Sequence, residues 1–204
     1  MRRRSAVLVC VITMLAVGAS LAPAAVASPP WRFNGKALEG SETVVGNSTT
    51  SSLTIPGLTT SCKNLHYKMK LKNEAGTGKG EITEVLFEEC STNSKACTVE
   101  LIEAEKLPWP LRVVTLSSIP YVIIEGVKVE ILYGGAECVL AETVVTITGT
   151  AGGLFENGTS TILFSASTFK TTKTELKALG TKVEWNGFFT TEATGVHAGE
   201  KLEV

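Results

Sequence analysis

The chain of 204 residues contains no aspartate and no glutamine; all 20 of its acidic residues are glutamates. That absence excludes EF-hand calcium loops, aspartyl dyads and Ser-His-Asp triads, each of which needs an Asp carboxylate at a fixed place. Histidine is scarce, with His66 and His197 only, and neither lies beside a cysteine. No C-x-x-C occurs, which removes zinc-finger spacings and a thioredoxin-type redox pair. There is no G-x-S-x-G nucleophile elbow. Nor is there a basic excess, with 19 Lys and Arg against 20 acids, so nothing advertises a nucleic-acid partner.

One long apolar run is present, at the start. Met1-Arg2-Arg3-Arg4 is cationic, Ser5 to Leu21 is apolar, Pro23 breaks the run, and Ala25-Val26-Ala27 offers small residues to a peptidase. This is the pattern of a secretory signal peptide over 1–27, cleaved after Ala27. The apolar core falls short of the roughly 20 residues of a spanning helix. Cys10 lies inside it and leaves with it. The expected mature chain, 28–204, is a single secreted β domain with no membrane span. Removing Arg2, Arg3 and Arg4 from 19 basic groups leaves 16 against 20 acids, a net of −4. Mild acidity of this kind disfavours polyanions that carry dense charge.

Four cysteines remain: Cys62, Cys90, Cys97 and Cys138. An even number in an exported chain reads as two disulfides. The polar, turn-like segment Ser91 to Ala96 favours Cys90–Cys97 with Cys62–Cys138. The rival scheme pairs Cys62 with Cys90 across a hairpin centred near Gly76 and leaves Cys97–Cys138. Loop entropy does not choose, since each scheme sums to roughly 7 kcal/mol.

From Trp31 onward the chain is rich in Thr and Val, which favour pleated backbone. Leu65, Tyr67, Met69 and Leu71 alternate with His66, Lys68, Lys70 and Lys72; Val127, Val129 and Ile131 alternate with Lys128 and Glu130. The same period of two runs through Val145 and Ile147, and through Val183 and Trp185. Breakers fall between such windows: Gly46-Asn47-Ser48, Pro56-Gly57, Gly76-Thr77-Gly78, Gly134-Gly135, Gly152-Gly153, Asn157-Gly158 and Asn186-Gly187. The expected fold is all-β, an antiparallel sandwich or barrel of many short strands. At most one short helix is expected, Thr172 to Leu179, with Gly180 as its C-cap.

The frame Trp31-x-Phe33-x-Gly35, an apolar strand running into Cys62, then Phe87-x-x-Cys90, Cys97, and Cys138 before a Thr/Val strand ending in Gly resembles a set of small exported proteins of soil actinobacteria. The resemblance spans most of the mature chain. It implies secretion, a β-rich fold and paired cysteines. It implies no activity, ligand or catalytic residue.

Chemistry-bearing candidates are few. Ala75 to Gly80 imitates a phosphate loop, but Gly80 follows Lys79 and strand follows Gly80, so a hairpin turn is expected. Glu84, Glu88 and Glu89, with Glu100, Glu103 and Glu105 after them, could supply a glycosidase carboxyl pair. Their alternation with Val85 and Phe87 reads instead as a solvated face. His66, between lysines, is expected on the surface, and His197 in a flexible, tail-like stretch. Trp185 is expected in the core. Pro108-Trp109-Pro110 reads as a stiff extended loop, and Trp109, if exposed there, is the best single contact for a ligand or partner. The function expected is a secreted, non-catalytic binding or structural role at the cell envelope or in the extracellular space, towards polysaccharide or protein. The alternative is a secreted glycan hydrolase with paired glutamates. No catalytic residue, metal, cofactor or nucleic-acid partner is expected.

Overall fold

The alternation of Leu65, Tyr67, Met69 and Leu71 with His66, Lys68, Lys70 and Lys72 becomes one long strand whose first set is buried and whose second is exposed. This computed structural model describes residues 28–165 and 175–204. In chain order the strands are β1 (Arg32–Phe33), β2 (Lys36–Ala37), β3 (Ser41–Ser48), β4 (Ser51–Ile55), β5 (Leu58–Glu74), β6 (Thr77–Thr92) and β7 (Thr98–Ala104). They continue with β8 (Trp109–Leu116), β9 (Ile119–Gly134), β10 (Val144–Glu156), β11 (Thr161–Phe164), β12 (Leu176–Ala178), β13 (Thr181–Ala193) and β14 (Leu202–Glu203). The fold is all-β, and every strand pairing is antiparallel.

The pairings form a closed circuit. β5 pairs β6, β6 pairs β8, β8 pairs β9, and β9 pairs β10. From β10 the circuit passes through β11 and β12 to β13, and through β3 and β4 back to β5. Of the two architectures the sequence left open, this is the barrel. Its interior is packed with apolar side chains, Leu65, Met69, Ile131, Ile147, Ile162 and Phe189 among the most buried. Charged residues face outward along β5 and β6, the reverse of a bilayer-spanning barrel. A three-stranded sheet, β14-β1-β2, closes one end. There Trp31 is fully buried, its indole N–H donates to the Lys79 carbonyl at 2.9 Å, and its ring meets Phe155 edge-on at 5.8 Å.

The strands are longer than the breakers suggested. Gly152-Gly153 lies inside β10 and Asn186-Gly187 inside β13. These glycines serve close approach rather than turns: a Cβ on Gly153 would lie 2.5 Å from the Ile162 side chain. Gly46 does the same beneath Tyr67, where a Cβ would fall 2.0 Å from the ring. Pro56-Gly57, Ala75-Gly76 and Asn157-Gly158 do turn the chain.

The helix expected over Thr172–Leu179 is corrected. Leu176–Ala178 is a strand, held by β10 on one side and β13 on the other. Leu176 and Ala178 are buried and Lys177 is exposed, the period of a strand. Leu179 and Gly180 both take positive φ and form the β12–β13 turn, so Gly180 is not a helix cap. Residues 172–174 lie outside the described residues.

The favoured disulfide scheme, Cys90–Cys97 with Cys62–Cys138, is also corrected: the bonds are Cys62–Cys90 and Cys97–Cys138. Cys62 and Cys90 are register partners across β5 and β6, as the rival scheme had them. Cys97 stands just before β7 and Cys138 shortly after β9, and the Thr98–Gly134 pairing brings those two ends together. The register at Cys62 depends on one residue. From the Ala75-Gly76 turn the ladder runs Glu74–Thr77 through Met69–Ile82, then resumes at Lys68–Glu84. Thr83 is the unpaired residue of this bulge. An unbroken ladder would set Cys62 opposite Glu89.

Two outcomes follow for β5 and β6. Deleting Thr83 regularises the ladder and retains the Cys62–Cys90 bridge; inserting one residue after Thr83 moves Cys90 out of register and loses it. Non-reducing peptide mapping distinguishes the two.

Two buried tyrosines make a second pair of outcomes. Among the described residues the Tyr67 hydroxyl has no hydrogen-bond partner, whereas Tyr133 shares a 2.7 Å hydrogen bond with Thr60. Tyr133→Phe should therefore cost about 1 kcal/mol in urea unfolding, and Tyr67→Phe should be neutral or stabilising by about as much. Burial raises both hydroxyl pKa values, with the Thr60 bond partly opposing this at Tyr133. The folded state thus holds these protons longer than the unfolded chain, whose tyrosines titrate near roughly pH 10. Stability is full below that pH and falls above it, and Tyr67→Phe should lessen the fall.

Candidate functional site

The loop expected at Pro108-Trp109-Pro110 is corrected, and the exposure on which a Trp109 contact depended is not met. Trp109 opens β8, is fully buried, and its indole N–H donates to the Glu105 carbonyl at 2.8 Å. The strand alternation explains it: Pro108 and Pro110 face outward, so the residue between them faces the core. Trp185 is buried as expected, with its N–H on Ser51 Oγ at 3.1 Å.

Three of the β6 glutamates lie on its outer face against a basic group from β5. Glu84 meets Lys68 at 2.9 Å, Glu88 meets His66 at 3.5 Å, and Glu89 meets Lys63 at 2.8 Å. All of these side chains are close to half exposed or more. The Lys63 hydrogen bond and charge hold the Glu89 carboxyl below its ordinary range, the opposite of what a general acid near neutral pH requires. Glu100 and Glu103 are exposed on β7, and Glu105 follows that strand.

His66 is on the surface, as expected, between Asn47 of β3 and Glu88 of β6. His197 is not in a loose tail. Its ring stacks on Phe33 with centroids 4.4 Å apart and planes within 4°, and its Nδ1 lies 3.1 Å from a Glu200 carboxylate oxygen. Among the described residues no three His, Cys or Glu side chains converge as a metal site. The Ala75 to Gly80 segment is a hairpin turn, with positive φ at Ala75 and Gly76.

Two open clefts of comparable size lie on the outer surface. One, of about 550 Å³, is lined by the hydroxyls of Thr50, Ser51, Ser61 and Ser91, with Lys63 and the half-exposed Phe188 at its margin. The other, of about 510 Å³, crosses β3, β5, β6, β8 and β9 near the β5–β6 turn. It gathers Lys70, Lys72, Lys79 and Arg112 with Glu74, Glu81 and Glu125. Glu74 is 2.9 Å from Lys79 and 3.9 Å from Lys72, and Arg112 is 3.0 Å from Glu125. The Lys79 hydrogen bond and the two lysine charges hold the Glu74 carboxyl below its ordinary range. The sequence reading placed the β5 lysines on a polar face but missed their convergence with Arg112. Lys79 and Arg112 are 33 positions apart, and only the β6–β8 register makes them neighbours.

No family model, curated protein or solved structure matches the chain.

Trp31, Trp109 and Trp185 have relative exposures of 0, 0 and 8%. Iodide should therefore quench native tryptophan fluorescence only weakly, and several-fold more strongly in denaturing urea. Strong quenching of the native protein would show an accessible indole.

Proposed function

We propose that the chain is exported, loses residues 1–27, and acts outside the cytosol as a non-catalytic binding or structural protein of the envelope or extracellular space. The two disulfides support an oxidising setting, where such bonds persist. Among the described residues no helix is long and apolar enough to cross a membrane. The N-terminal end of the expected mature chain is built into the fold: Pro29 accepts a hydrogen bond from the Gly78 amide, and the Trp31 amide donates to Asn73.

One observation carries the non-catalytic reading. Glu84, Glu88 and Glu89 of β6 are spread along an exposed face and spent on basic partners across the ladder. A retaining glycosidase holds two carboxyls roughly 5 Å apart across a reacting bond, with one desolvated as the acid. The clefts on the surface fit binding better, because they are open and lined by groups that hydrogen-bond or pair with charge.

The exported protein should have an intact mass that begins at Ser28 and no alkylatable thiol under denaturing, non-reducing conditions. Incubated with envelope and plant polysaccharides, it should leave their chain lengths unchanged. Release of reducing ends that is lost in Glu84→Gln or Glu88→Gln would replace this reading with the hydrolase.

A further inference from the structure

The two halves of the β5–β6 hairpin treat charge differently. Beyond the Thr83 bulge, each basic residue of β5 that carries an ion pair finds a glutamate of β6: Lys68–Glu84, His66–Glu88 and Lys63–Glu89. Between the bulge and the turn, the register sets Lys72 directly opposite Lys79, and Lys79 directly opposite Arg112. Three cations thus stand in a row across three adjacent strands, at the strand spacing of about 4.8 Å. Like charges directly opposite one another destabilise a sheet. Glu74 and Glu125 relieve this row only in part, since one carboxylate is divided between two lysines. Lys70, in the next row, has no ion-pair partner among the described residues: Glu81 is its register neighbour but forms no ion pair with it.

These four cations line the same 510 Å³ cleft, interspersed with three carboxylates. The exposed prolines Pro108 and Pro110 border it. On the reading of this chain as a binding protein, we propose that the cleft binds an extended polysaccharide carrying one anionic group per sugar. The cation row supplies positive charge at intervals close to the length of one sugar ring. The proline rings offer apolar surface to the C–H faces of the sugars. The carboxylates within the cleft, and the net acidity of the chain, repel polymers of dense charge such as nucleic acid. A sparse anion meets the unpaired Lys70 and the divided Lys72–Lys79 pair without that penalty.

The probe is polygalacturonate, immobilised, with neutral dextran and poly-glutamate beside it, and the oxidised full-length domain as analyte. Retention is expected on polygalacturonate and on neither control, and it should weaken as salt rises through the range where the Debye length falls to about 8 Å. The double variant Lys70→Ala/Arg112→Ala should weaken binding about tenfold, which is about 1.4 kcal/mol for the loss of two exposed charge contacts together. Glu81→Gln and Glu125→Gln should tighten it. Lys36→Ala/Lys201→Ala, which removes the same charge elsewhere, should leave it unchanged. Equal retention on poly-glutamate, or equal weakening by the Lys36 and Lys201 pair, would overturn the proposal in favour of unspecific charge attraction. Retention on neutral dextran alone would overturn this cleft while leaving a binding role intact. Shortening of the polygalacturonate would overturn the non-catalytic reading instead.

Discussion

Between Lys68 and Met69 the β5–β6 ladder shifts by one residue, and Thr83 is left without a partner. Much of the structure depends on that offset. The tight turn at Ala75-Gly76 dictates the register of the first six pairs, and without a bulge the same register would continue to the far end. The offset brings Cys90 opposite Cys62, Glu84 opposite Lys68 and Val85 opposite Tyr67. It also keeps Ile82 and Val85, three apart in sequence, on the same inward face. A strand with strict alternation cannot do this, because the period of two sends residues three apart to opposite faces. The bulge therefore sets the core, the disulfide and the charge pairing together.

The two disulfides lie on either side of a gap in the strand pairing. β6 leaves β8 after Ile82, and no ladder joins its later half to β7 among the described residues. Cys62–Cys90 ties that half of β6 to β5, and Cys97–Cys138 ties the root of β7 to the segment that follows β9. Neither bond crosses the gap between β6 and β7; each reinforces a ladder beside it, next to strand edges that are otherwise open to pairing with other chains.

The faces of the strands were legible in the residues themselves. Leu65 to Leu71 and Val127 to Ile131 alternate so regularly that their inward sets can be read directly. The lengths of the strands were not legible, because glycine has two uses in a sheet. At Ala75-Gly76 it turns the chain; at Gly46 and Gly153 it makes room for a ring or a branched side chain from a neighbouring strand. Only the neighbour distinguishes the two, and the neighbour is remote in sequence. Leu176 to Ala178 was misread for a similar reason, since three residues become a strand only because β10 and β13 offer partners on both sides. The second cleft was hidden in the same way. Its lysines on β5 are visible as a polar face, but their alignment with Lys79 and Arg112 is a property of register. Trp109 shows the converse: two flanking prolines suggested an exposed loop, whereas they are the outward residues of a strand whose inward residue is the tryptophan.

The small sheet at the end of the barrel joins Arg32–Phe33 to Leu202–Glu203. Residues near opposite ends of the chain thus complete one structural unit, and Leu202 is buried beside Phe33 in doing so. During synthesis, Phe33 emerges well before its strand partner Leu202, which lies 169 positions further along. That end of the barrel therefore stays open until Leu202 has been made, and its lid closes only after the strands between the two partners exist.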